Sequence, residues 1–171
     1  GQISLLTREE EIAIAKKIEA TEIDFREAVL SCGGVKNMMI SLIEKVLTGE
    51  VNLEDVVKEN VDSRKDVVLE RFKKILKKLK ETRNRSQILT AILDLKLSPS
   101  VVVDIAAAFK TKTDELEKLT RMIKRSKRSA DRELVKEKAR KEKELEESHE
   151  RMKEILKQIK IKEHRYNKAK K

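Results

Sequence analysis

Residues 35–49 read Val-Lys-Asn-Met-Met-Ile-Ser-Leu-Ile-Glu-Lys-Val-Leu-Thr-Gly. Val35, Met38, Met39, Leu42, Ile43, Val46 and Leu47 recur at i, i+3, i+4 and i+7, one broad face of an α-helix. Gly49 stands just past the last of them, where a helix closes most readily. The stretch therefore predicts an amphipathic helix with a definite end. The segments on either side carry the same period, and together they predict an all-α protein.

Upstream, Thr7-Arg8-Glu9-Glu10 has the spacing of a capping box, so a helix is expected to start at Arg8. Its apolar positions Ile14, Ile18, Phe25 and Val29 fall roughly on one face, and Gly33-Gly34 is expected to end it. Downstream, Asn52 is placed to cap a helix through Val56 and Val57. Ser63 is the candidate cap for a helix whose stripe is Val68, Leu69, Phe72, Ile75, Leu76 and Leu79, with Lys73, Lys74, Lys77 and Lys78 around it. Ser86 is expected to cap Ile88, Leu89, Ile92 and Leu93. Ser98-Pro99 is a further start signal, serine as cap and proline at the first helical position, ahead of Val101, Val102, Ile105, Ala106 and Phe109. The Val101–Val103 run suits a short strand, but nothing nearby offers a partner strand. Asp114 is expected to cap another helix through Leu116, Leu119 and Ile123.

From about Ser129 to Lys168 no breaker is visible, which predicts one long, highly charged helix. Its first half is poor in apolar residues, and pairs such as Glu137 with Lys141 and Glu147 with Arg151 are expected to support it at about 0.2–0.5 kcal/mol each. Its second half spaces Leu145, His149, Met152, Leu156 and Ile159 in steps of four and three, a packing seam. The helix is expected to leave the body of the protein and dock again. The architecture expected is a bundle of six to eight helices ending in this long one, with a core drawn from the region before Ile123.

Composition agrees. The chain has 171 residues, 42% charged, 39% hydrophobic and 2% aromatic, with four glycines and one proline. So few aromatic and turn residues exclude a β-sandwich. No apolar run is long enough to span a membrane, no signal peptide is visible, and the chain reads as cytoplasmic. It starts at Gly1 rather than Met and is read as an excised piece. The net charge is +10, unevenly spread. Residues 1–57 hold 6 basic and 11 acidic side chains, residues 58–114 hold 14 and 8, and residues 115–171 hold 21 and 12. A positive end of this kind attracts nucleic acid or an acidic protein surface, and the plainer reading is a solvated helix.

Chemistry motifs are scarce. There is no phosphate-cradling glycine loop. His149 and His164 have no cysteine nearby, so no metal site is expected, and no cofactor or small-molecule substrate either. His149 reads as a seam residue and His164 as a solvated one. Cys32 reads as a small buried hydrophobe. Nothing supports an enzyme. One cluster stands out: Arg121, Lys124, Arg125, Lys127 and Arg128, five cations in eight positions. Such a run suits phosphate or acidic-protein contact, or it is an ordinary basic helix end that favours the macrodipole. No aromatic is interleaved for base stacking.

The start of the chain is more specific than these patterns. Gly1, Ile3, Leu5-Leu6-Thr7-Arg8-Glu9, Glu11-Ile12 and Ile14-Ala15-Lys16-Lys17-Ile18-Glu19 resemble region 1.2 of the housekeeping, sigma-seventy type sigma factor of bacterial RNA polymerase. Ile159-Lys160-Ile161-Lys162 and Lys168-Ala169-Lys170-Lys171 resemble the helix that leads into region 2.1 of the same family. The stretch between resembles the family's variable insertion. The resemblance implies a division into the end of region 1.2 with its helix (1–30), a helical insertion (31–128) and a charged helix towards region 2.1 (129–171). It implies a parent protein that binds core RNA polymerase and directs promoter recognition and opening, with the insertion a scaffold beside the clamp of the largest subunit. The family's strand-melting aromatics, main core-binding coiled coil and promoter-reading helix-turn-helix would lie beyond Lys171. Much of the region 1.2 surface that touches promoter DNA in the holoenzyme would lie before Gly1. Arg8, Lys16 and Lys17 match family positions and are the candidate nucleic-acid contacts; the alternative is a solvated face around Ile14 and Ile18. The Arg121–Arg128 cluster is the candidate polymerase or phosphate contact. The competing hypothesis is a free-standing basic helical protein that binds nucleic acid or ribosomes.

Overall fold

In a computed structural model of the chain, residues 5–126 and 130–171 are described. They form eight helices: α1 (Arg8–Leu30), α2 (Val35–Thr48), α3 (Leu53–Val56), α4 (Lys65–Glu81), α5 (Arg85–Leu93), α6 (Pro99–Arg125), α7 (Ala130–Leu145) and α8 (His149–Ala169). No strand forms among the described residues. Val57 and Leu97 make an isolated antiparallel bridge, with Lys58 N–H donating to the Lys96 carbonyl at 2.9 Å and Ser98 N–H to the Val56 carbonyl at 2.8 Å.

The start of α1 follows the expected chemistry. Thr7 Oγ1 accepts from the Glu10 N–H at 3.2 Å, and Glu10 Oε2 accepts from the Thr7 N–H at 2.7 Å. Gly49 closes α2 in the left-handed region, at φ +80°. Ser98 and Pro99 open α6 as expected, although the Ser98 hydroxyl donates to the Asp55 carbonyl rather than capping its own helix.

Elsewhere the ends differ from the sequence reading. α1 stops at Leu30, and Gly34, at φ +79°, serves as the cap that opens α2. Asn84, not Ser86, caps α5: its side-chain oxygen accepts from the Ser86 and Gln87 N–H groups at 3.0 and 3.2 Å. Arg64 precedes α4, without a side-chain cap. Asp114 starts no helix, because α6 continues through it on an unbroken stripe of Val102, Ile105, Phe109, Thr113 and Leu116. The expected single C-terminal helix is two helices, α7 and α8. Glu146 takes φ +54° between them, and the Ser148 side chain accepts from the Arg151 N–H to open α8 afresh.

The core is continuous. Its fully buried large side chains include Leu30 from α1, Met39 and Ile43 from α2, Phe72 and Leu79 from α4, Ile92 from α5, Phe109 and Leu116 from α6, and Met152 and Ile159 from α8. Each such side chain contributes about 1.5–3 kcal/mol, far more than any exposed ion pair. α2 packs on α4, α4 on α5, and α8 on both α1 and α6. α8 runs antiparallel to both partners. At one end the turn before it meets Gly33 and His149 meets Thr120; at the other, Tyr166 stacks on Phe25 with ring centroids 6.1 Å apart and lines a small cavity with Pro99 and Val102. Leu145, 4% exposed, sits against Gly33 and Gly34. A Cβ on Gly33 would collide with the Leu145 carbonyl oxygen and Glu147 Cγ.

Candidate functional site

The first half of α1 stands largely in solvent. Ile14 is 40% exposed and Ile18 half-buried, so the apolar face read from sequence becomes core only from Phe25 onward. Arg8, Lys16 and Lys17 are all exposed, as the solvated-face reading also requires. They do not converge. At 3.6 residues per turn Lys16 lies about 80° around the helix from Arg8, and Lys17 about 180°. A single contact surface would take Arg8 with Lys16, or Lys16 with Lys17, and not all three.

The end of α6 is more compact. Arg121, Lys124 and Arg125 share one face, since three- and four-residue steps return to the same side of a helix. Lys127 and Arg128 lie outside the described residues. Lys124 and Arg125 are exposed and in the last turn, where cations suit the macrodipole. Arg121 is committed: its Nε lies 3.2 Å from Glu117 Oε1.

Glu117 is the hub of this end, and no local sequence pattern marks it. Its Oε2 lies 3.0 Å from His149 Nε2 and 3.2 Å from Lys153 Nζ, both on α8. Lys153 first, then Arg121, hold its carboxyl below the usual carboxylate range. His149 itself is 3% exposed, with Nδ1 3.3 Å from Thr120 Oγ1 and its backbone N–H donating to Glu142 Oε1 at 2.7 Å. The residue reads best as a polar bolt joining α6, α7 and α8, consistent with its place in the seam. Partners of this kind come from three helices, so no local spacing announces them.

Intrahelical charge pairs do form in α7, Lys138 with Glu142 at 3.7 Å and Lys136 with Glu133 at 3.2 Å, but the two pairs named from the sequence are not among those of the described residues. Lys141 reaches Glu115 on α6 at 3.1 Å, and Glu147 receives Arg85 from α5 at 2.8 Å. Between α1 and the α5–α6 region lies a cleft of about 360 Å³ lined by Glu19, Glu22, Arg26, Lys58 and Lys96 among others. Most of its charges are paired: Glu22 binds Arg26 at 2.7 Å and Lys58 at 3.4 Å, and Lys96 binds Glu59 at 3.4 Å. Burial pushes the Glu22 carboxyl up, and Arg26 and Lys58 together more than reverse it. Arg71 binds Glu59 in the same way. Cys32 is buried, and burial pushes its thiol up to about 12, with Glu147 adding to the effect. It is an inert thiol. Among the described residues no group of three or more His, Cys, Asp or Glu is placed to hold a metal, and no helix is long and apolar enough to cross a membrane. What the surface can do chemically is present charge.

Comparison with known proteins agrees with the reading of the first helix. Residues 1–22 match the family described as sigma-70 factor, region 1.2. The chain is similar to the RNA polymerase sigma factor RpoD of Neisseria gonorrhoeae, 42% identical over 62 residues. That match covers 36% of this chain and 10% of the relative, so the chain spans about a tenth of the length of the curated relative it matches. These two matches support a chain of the sigma-70 type, carrying region 1.2 sequence in residues 1–22.

Proposed function

We propose that the chain serves bacterial transcription initiation as the helical stretch between regions 1.2 and 2.1 of a sigma factor. On this reading residues 1–30 are the end of region 1.2 with its helix, 31–128 the insertion, and 129–171 the approach to region 2.1. The partners are core RNA polymerase, at the clamp of its largest subunit, and promoter DNA within the holoenzyme, which places the protein in the cytoplasm. Its role is that of a scaffold and not an enzyme. The observation that carries the reading is the region 1.2 match over residues 1–22. It coincides with the capped, solvent-facing half of α1, which leaves Lys16, with either Arg8 or Lys17, exposed to meet a partner while the second half of the helix is anchored in the core. Arg121, Lys124 and Arg125, with Lys127 and Arg128, are the proposed polymerase or phosphate contact.

The test is co-elution of the chain with purified bacterial core polymerase on size exclusion, with and without a full-length sigma factor as competitor. Association that the competitor removes is the expected result. No association with core, together with tight binding to random duplex at physiological salt, would favour the second reading, a free-standing basic nucleic-acid-binding protein. The +10 charge is what keeps that reading in view.

A further inference from the structure

Residues 153–168 of α8 carry six cations, Lys153, Lys157, Lys160, Lys162, Arg165 and Lys168, against two carboxylates, Glu154 and Glu163. The distribution around the helix is more telling than the count. Lys153, Lys157, Lys160, His164 and Lys168 follow one another in steps of four, three, four and four. At 3.6 residues per turn they fall within an arc of about 80°, and at 1.5 Å per residue they extend over about 23 Å. All five are exposed. The buried face of the same helix, Met152, Leu156, Ile159 and Tyr166, points elsewhere and is occupied by α1 and α6. Lys153 is tied to Glu117; Lys157, Lys160 and Lys168 have no carboxylate partner among the described residues.

We infer that this row is a docking surface for the sugar-phosphate backbone of duplex nucleic acid. A row of four lysines and a histidine along one helix face, with neither Glu154 nor Glu163 inside its arc, matches a polymer of evenly spaced negative charges. The alternatives fit less well. Protein interfaces are built around buried aromatics, methionine and arginine and are depleted in lysine. The arc holds lysines and a histidine and no apolar side chain; Ile161, 39% exposed, lies just outside it. Single strands bind largely by stacking bases on aromatics, and the one aromatic of α8, Tyr166, is buried against Phe25. Contacts of this kind carry no sequence information and are strongly weakened by salt, so the row positions a duplex rather than selecting one. The inference stands on charge and register alone. It is separable from the sigma-type reading, which polymerase co-elution tests.

The experiment is fluorescence anisotropy of the full chain with a labelled random duplex over a salt series. Two double variants are compared: K157Q/K160Q in the row, and K74Q/K78Q on the outer face of α4, a helix that packs on α2 and α5. Each removes two positive charges from exposed positions, so neither disturbs the core. At about 0.9 in the log–log salt slope per neutralised phosphate, K157Q/K160Q is expected to lower the slope by about 1.8. K74Q/K78Q should leave it unchanged. Polyglutamate serves as the acidic-protein probe. An unchanged slope in K157Q/K160Q, an equal loss in both variants, or a loss confined to polyglutamate would overturn the inference; the last would make an acidic protein the occupant.

Discussion

Three glycines separate two costs that usually arrive together, and substituting each by alanine tests how the α7–α8 corner is held. Gly49 sits at φ +80° with nothing within 4 Å of where a Cβ would go. Gly49→Ala therefore carries the left-handed backbone cost alone, about 1–2 kcal/mol. Gly34 shares the conformation at φ +79°, and its Cβ would meet Leu145 Cδ2 at 3.0 Å, the far end of a side chain that can rotate. Gly34→Ala should cost slightly more than Gly49→Ala. Gly33 is not left-handed, but its Cβ would collide with the Leu145 carbonyl oxygen and with Glu147 Cγ. A carbonyl cannot rotate aside, so the corner must move. Overpacking costs about 1–3 kcal/mol, and lifting Leu145 from its buried seat adds part of the roughly 1.5–3 kcal/mol its burial supplies. Gly33→Ala is thus expected to lose about 3 kcal/mol or more. At about 2–4 °C per kcal/mol for a protein of this size, thermal unfolding followed by circular dichroism should show a drop of about 10 °C, against about 3–5 °C for Gly49→Ala. If Gly33→Ala loses no more than Gly49→Ala, the corner does not pack on the α1–α2 turn as described.

Phe25→Ala should cost about 3–5 kcal/mol in chemical denaturation, because it empties a buried site under Tyr166; a double-mutant cycle with Tyr166→Leu should show a coupling of about 0.5–1.5 kcal/mol, and additivity would refute the stacked pair. Glu117, held below the usual carboxylate range by Lys153 and Arg121, contributes stability that is present above that range and lost as pH falls through its lowered value. Melting temperature against pH should therefore lose part of its acid limb in Glu117→Gln, and an identical limb would remove Glu117 from the account. Cys32, with its thiol pushed up to about 12, should react with a disulfide reagent at neutral pH only as the protein unfolds; reaction of the native protein at the rate of a free thiol would contradict its burial.

Most of the fold was legible because helices announce themselves locally. The stripe of α2, the capping box of Thr7 and Glu10, and the Ser98-Pro99 start each depend on neighbours within a turn or two. The exceptions have tertiary causes. Ser86 and Asn84 are both good caps, and only the final backbone shows that Asn84 lies at the distance from which one oxygen serves two N–H groups. The division of α7 from α8 was hidden in an unbroken run of helix-forming residues. It is decided by Leu145 seating on the two glycines and by Glu146 accepting a left-handed backbone so that Ser148 can cap. Glu137, Lys141, Glu147 and Arg151 looked like partners along one helix, yet Lys141 and Glu147 find theirs on α6 and α5. The candidate site was partly legible: exposure of Arg8, Lys16 and Lys17 follows from their polarity, but their divergence around α1 follows only from the helical turn angle. The Glu117 hub, assembled across helices, has no sequence trace.

The independence of α7 has a consequence for how the protein opens. Among the described residues of this helix Leu145 is buried, Leu134 is half-buried against the core and Val135 is 49% exposed; α7 packs chiefly on α6, with a partly exposed ion pair between Lys141 and Glu115. α8, by contrast, is locked between α1 and α6. Hydrogen exchange should therefore find α7 amides escaping through a small local opening, while those of α8 wait for the whole molecule to unfold. A protease should nick the same segment first. On that outcome α7 is a removable strut, whose melting leaves the three helices α1, α6 and α8 packed together.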